Sequence, residues 1–97
     1  MREIALSNSS GKPIESDWLM LNIVDSLPPD SIVINESLTS SRALPDLLAY
    51  TDRYSFHGNA SGGIGWALPA SIGIKLAHPR RPVICLSGDG SAMYSIQ

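Results

Sequence analysis

In Val83-Ile84-Cys85-Leu86-Ser87-Gly88-Asp89-Gly90-Ser91, an apolar run rich in β-branching meets a carboxylate flanked by two glycines. Such a continuous apolar run, with Pro82 before it and Gly88 after it, predicts a strand buried on both faces. Helix-compatible residues follow Ser91. This succession suits a pyrophosphate held by a divalent metal. Glycine lets the backbone approach phosphate oxygens, and Asp89 offers a hard oxygen ligand. The N–H groups opening the next helix face the anion. A metal needs several ligands, so the stretch is half of such a site. Alone, Gly-Asp-Gly-Ser is usually a turn, and its meaning depends on what precedes it.

Upstream, Pro79 and Pro82 bracket a turn, and Trp66 to Ala77 has a helical pattern with Pro69 in its first turn. Gly58 to Gly65 is a glycine-rich loop, and Tyr54-Ser55-Phe56 predicts a short strand. Ile32-Val33-Ile34 predicts another buried strand, closing on Asn35-Glu36-Ser37. A helix is expected over roughly 41–50, with Pro45 near its start. Another is expected from Glu15 to about Leu27, where Met20, Ile23, Val24 and Leu27 recur at helical spacing before Pro28-Pro29. Residues 1–12, ending Ser7-Asn8-Ser9-Ser10-Gly11-Lys12, predict a polar tail or linker, leaving one truncated domain over 13–97. Alternating elements point to an α/β fold, a partial doubly wound parallel sheet with flanking helices. Ligands of such sheets sit at the carboxyl ends of strands. Three segments are expected there: Asn35 to Ser40, Ala60 to Gly65, and Gly88 to Ser91.

The composition narrows the function classes. A chain of 97 residues makes one small domain, and 16% charged residues is low, which suits surface packed against something else. Seven Lys and Arg against nine Asp and Glu give a net charge of −2, with no electrostatic footprint for nucleic acid or an anionic membrane. The single Cys85 excludes an intrachain disulfide and reads as a small core hydrophobe. No signal peptide and no run of membrane-spanning length is visible, so the expected compartment is reducing and cytoplasmic.

From about Ile14 to Gln97 the chain resembles the first half of the diphosphate-binding domain of thiamine-diphosphate-dependent decarboxylases. Gly62-Gly63-Ile64-Gly65-Trp66-Ala67-Leu68-Pro69-Ala70-Ser71-Ile72-Gly73 and Asn35-Glu36-Ser37 are most similar to the benzoylformate decarboxylases. Acetolactate synthases, oxalyl-CoA decarboxylases and pyruvate oxidases share the general pattern. The resemblance implies thiamine diphosphate and Mg²⁺ (or Ca²⁺) as cofactors, with Asp89 as metal ligand. It places Gly88, Gly90 and Ser91 on the diphosphate, Gly90 and Ser91 by backbone donors and Ser91 also by its hydroxyl. Leu38 and Thr39 fall where the family adds diphosphate contacts, and Leu38 offers only backbone there. Gly62 and Ile64 become the candidate catalytic pair: the Gly62 carbonyl receives the cofactor's exocyclic amine, and Ile64 wedges between its two rings. The reaction implied is decarboxylation of a small 2-keto acid, the thiazolium accepting the electrons released with CO₂.

The family's pattern continues to an Asn-Asn pair that completes the metal site, and Gln97 comes first. A pyrimidine-binding domain, supplied in the family by a neighbouring subunit, is absent as well. The resemblance therefore implies a homo-oligomeric parent, a dimer or tetramer, and a 97-residue chain that is catalytically silent by itself. An association module acting through an unfinished sheet edge or hydrophobic face is the alternative of another class. A dinucleotide loop at Gly62-Gly63-Ile64-Gly65 fails on spacing, which does not match Gly-x-Gly-x-x-Gly. Glu36 at a strand end reads as an active-site carboxylate, a partner-facing group or a helix cap. His57 is expected on an exposed loop, His78 at a helix C-terminus, and Trp18 and Trp66 in the core or an interface.

Overall fold

The computed structural model describes all 97 residues, which divide into two compact units: Met1–Leu27 with Leu38–Ala49, and Pro28–Ser37 with Tyr50–Gln97. The second unit carries the sheet, whose strands are β1 (Ile32–Glu36), β2 (Phe56–Gly58) and β3 (Val83–Ser87). All pairing is parallel, in the order β2-β1-β3. The unit also holds two further helices, at Ala67–Ala77 and Asp89–Ala92. The first unit carries three helices: α1 (Arg2–Ser7), α2 (Ser16–Ser26) and α3 (Leu44–Leu47), with α2 packed on both of the others. In chain order the second unit's helices are then α4 (Ala67–Ala77) and α5 (Asp89–Ala92). The expected parallel α/β architecture with flanking helices is the one observed.

The central position of β1 follows from its composition. Ile32, Val33 and Ile34 are all buried, as a strand with neighbours on both edges and apolar side chains on both faces requires. Alternation places Ile32 and Ile34 on one face, where they form a core with Ala67. Trp66, Ile74, Val83 and Cys85 pack against that core, so α4 lies over β1 and β3. No helix is long and apolar enough to cross a membrane.

Several local expectations change. The strand β3 has the expected bounds, yet all five of its residues are only half-buried. It pairs with β1 alone and has an open outer edge in this sheet. The strand expected at Tyr54 begins instead at Phe56, because Ser55 is held in a turn by the Thr51 and Asp52 amides, which donate to its hydroxyl at 3.0 and 3.1 Å. His57 consequently sits on β2 and is half-buried rather than on an exposed loop. The helix expected over 41–50 shrinks to the four residues of α3, with Pro45 in its first turn. A start at Ser41 would place that proline in the helix interior, where its ring clashes with the preceding turn. Within the segment expected as a tail, Arg2-Glu3-Ile4-Ala5-Leu6 forms α1. Its Ala5 is buried, and Arg2 pairs with Asp25 of α2 at 2.8 Å.

Candidate functional site

The register aligns Asn35 with Gly58 and Glu36 with Ser87, so the three strands end level at one edge of the sheet. The segments leaving β2 and β3 therefore start at the same end of the sheet, one on each side of the end of β1. The chain goes from β1 to one flank and returns to the other, so the boundary between β1 and β3 is the topological switch. Open α/β sheets bind their ligands outside the carboxyl ends of strands at such a boundary.

The loop leaving β2 is braced from within. Asn59 Nδ2 donates to the Gly63 carbonyl at 2.8 Å, and Asn59 Oδ1 accepts from the Ser61 amide at 3.0 Å. Gly62 and Gly65 have φ of 73° and 89°, the left-handed region that disfavours side chains. A Cβ on Gly65 would lie 2.7 Å from Tyr94 Cβ, so the turn after α5 rests directly against this glycine. The two glycine motifs, 23 residues apart in the chain at their nearest ends, are neighbours in space, with a Cβ on Gly65 lying 3.8 Å from the Ser91 carbonyl. Ile64, within the first of these motifs, is an apolar side chain left 41% exposed.

In the β3–α5 turn, Gly88 is the N-cap of α5 and Asp89 its first residue. Asp89 is exposed, and its Oδ1 accepts the Gly90 amide at 2.8 Å. A Cβ on Gly62 or Gly90 would meet nothing within 4 Å. The open space beside these two glycines, with an exposed carboxylate next to Gly90, leaves room for the close approach of a diphosphate-bearing cofactor. No three His, Cys, Asp or Glu side chains cluster closely enough to hold a metal, so these residues do not by themselves complete a metal site. Leu38 and Thr39 belong to the first unit, both exposed, with Leu38 at φ 40°.

Glu36, at the end of β1, has three readings from the sequence, an active-site carboxylate, a partner-facing group or a helix cap, and its bond to the first N–H of α4 accords with the last. It is buried, and its two oxygens accept the backbone N–H groups of Gly65 and of Ala67, the latter at 2.8 Å. Cys85 is half-buried. Burial pushes its thiol above the ordinary cysteine value, and the Glu36 charge adds to this, while a hydrogen bond with Ser71 opposes both. A thiol so held is a poor nucleophile. Tyr94 had no motif to announce it; its closeness to Gly65 comes from the fold.

Residues 39–97 match the thiamine pyrophosphate enzyme C-terminal TPP-binding domain. The chain belongs to this family. Among thiamine pyrophosphate enzymes it is similar to a benzoylformate decarboxylase of Pseudomonas aeruginosa, 38% identical over 96 residues, which cover 98% of this chain and 18% of that protein. It is also similar to a putative acetolactate synthase large subunit of Mycobacterium tuberculosis, 43% identical over 70 residues, or 72% of this chain and 14% of that one. Among solved structures, the thiamine diphosphate-dependent 4-hydroxybenzoylformate decarboxylase of Rhodococcus jostii RHA1 superposes with a TM-score of 0.80 at 40% identity. That likeness covers 91% of this chain and 17% of the Rhodococcus chain. The chain thus spans less than a fifth of the length of these relatives.

Proposed function

We propose that this chain is the part of a thiamine-diphosphate- and Mg²⁺-dependent 2-keto acid decarboxylase, of the benzoylformate decarboxylase type, that holds the cofactor's diphosphate and metal. The observation that carries this reading is the meeting of the Gly62–Gly65 loop with the Gly88–Ser91 turn at the level carboxyl ends of the sheet. Likeness to decarboxylases over nearly the whole chain supports it. When bound, the cofactor supplies the electron sink for the pair left behind as CO₂ departs. Asp89 gives the metal one carboxylate ligand. Gly88, Gly90 and Ser91 would hold the diphosphate, Gly90 and Ser91 through backbone N–H groups and Ser91 also through its hydroxyl. Gly62 would offer its carbonyl to the cofactor's amine, and Ile64 would give its rings an apolar contact.

The parent protein on this reading is a cytoplasmic homo-oligomer acting on a small 2-keto acid, and the 97 residues alone do not turn over. The likeness to an acetolactate synthase subunit makes carboligation the second reading for the same site. Association through the open β3 edge and the exposed Ile72 and Leu76 of α4 is the reading of another class. The deciding experiment titrates thiamine diphosphate with and without Mg²⁺ into the parent protein and its variants. Asp89→Ala is expected to abolish metal-dependent binding. Ile64→Ala is expected to leave affinity within a few-fold and to slow benzoylformate turnover by about tenfold or more. Equal loss of affinity in both variants would refute the division of roles.

A further inference from the structure

Glu36 has no share in the roles assigned above, yet it holds the cofactor loop. It is 5% exposed, and it takes no part in the chain's ion pairs, which join Arg2 to Asp25 and Arg81 to Asp30 and Asp52. A carboxylate is costly to bury unless hydrogen bonds replace its water. Here two backbone N–H groups do so, reached across 29 and 31 residues of sequence. Alternation along β1 puts Glu36 on the face of Ile32 and Ile34, the face that α4 covers, which is why it can reach them.

A helix cap alone does not explain this arrangement. The N-cap residue of α4 is Trp66, which makes no side-chain capping bond, and a local Ser or Asp there would cap the helix without burying a charge. Such a local cap would satisfy α4 and leave Gly65 free. Gly65 lies before the helix, at φ 89°, and is the last residue of the loop that carries Gly62 and Ile64. By binding Gly65 and Ala67 together, Glu36 ties the exit of that loop to both the strand end and the helix start.

We propose that Glu36 is a positioning residue whose carboxylate locks the Gly62–Gly65 loop in the one conformation that receives the cofactor. Its effect on cofactor binding rests on the thiamine diphosphate reading; its hold on the loop does not. A glutamine keeps the shape but offers one acceptor oxygen and turns an NH₂ donor toward the second N–H. An aspartate keeps both acceptors on a shorter arm.

The test compares the parent protein with its Glu36→Gln and Glu36→Asp variants by residue-resolved amide hydrogen exchange without ligand, and by thiamine diphosphate affinity in Mg²⁺. In Glu36→Gln, exchange at Gly65 and Ala67 is expected to rise about tenfold or more while Ile34 stays protected, and the cofactor Kd to rise about tenfold. Glu36→Asp should recover part of both effects, and it carries the test should Glu36→Gln fail to fold. Unchanged exchange at Gly65 would overturn the proposal. So would faster exchange with unaltered cofactor affinity, which is the result for a simple helix cap. Should the unsubstituted protein bind no thiamine diphosphate, the decarboxylase reading fails, while the exchange at Gly65 still decides whether Glu36 locks the loop.

Discussion

Single glycines at the site separate two kinds of constraint. Gly65 is required by the fold: its φ of 89° and the 2.7 Å approach of Tyr94 leave no place for a side chain. Gly65→Ala should cost about 1–3 kcal/mol, seen as a lower melting temperature before any ligand is added. Gly90 differs. It has no positive φ, nothing stands near its missing Cβ, and it lies in a helical turn. Gly90→Ala should leave the melting temperature unchanged or slightly higher, by up to ~1 kcal/mol of helix propensity, while weakening thiamine diphosphate binding. Thermal melts paired with cofactor titrations separate the two cases. Both glycines stand in recognisable motifs. Nothing local distinguishes the one with open space beside it from the one that fits a tyrosine, because that depends on what packs opposite.

At the scale of elements, periodicity and punctuation told strand from helix well, and burial poorly. The bounds of β3 were readable from an apolar run between Pro82 and Gly88, but the same run serves a central strand and an edge strand alike. The energetic difference is testable. Ile34→Ala, in the buried core under α4, should cost about 2–5 kcal/mol, and Val83→Ala on half-buried β3 about 1 kcal/mol, read from urea midpoints. Short helices were the other weakness. Polar residues from Ser7 to Lys12 obscured the helix-forming run that becomes α1. For α3, the single proline at 45 set the start more strongly than the pattern around it.

Across the sheet-bearing unit, the end opposite the site is closed by Arg81, whose side chain is only 12% exposed. Its Nε donates to the Asp30 carbonyl at 3.0 Å, and its Nη1 to Asp52 at 2.9 Å. Its Nη2 lies 3.2 Å from Asp30 Oδ1, an ion pair without hydrogen-bond alignment. Burial alone would raise the Asp52 carboxyl. Bonds from the Tyr54 amide, the Arg81 guanidinium and the Ser55 hydroxyl, with the charge of Arg81, hold it below the ordinary aspartate value. A carboxyl lowered on folding contributes stability above its unfolded pKa, and that contribution is lost as pH falls through the folded value. Acidification should therefore destabilise the protein less steeply once Asp52 is replaced by Asn, an effect kept modest by the exposure of the Asp52 side chain. Urea midpoints from about pH 6 to pH 3 check this. Arg81→Ala should lower the melting temperature by several degrees. The sequence by itself determined the type of every element but α1, the parallel α/β class, the order of the glycine motifs and the family. Those features are written in short-range periodicity and in residues whose backbone or ligand chemistry acts where they stand. Only the tertiary structure decided that Glu36 holds Gly65, that Tyr94 abuts it, that β3 is half-exposed, and that Arg81 reaches residues 29 and 51 positions away. Each depends on which strands become neighbours and in what register, and those choices are made by packing the whole chain.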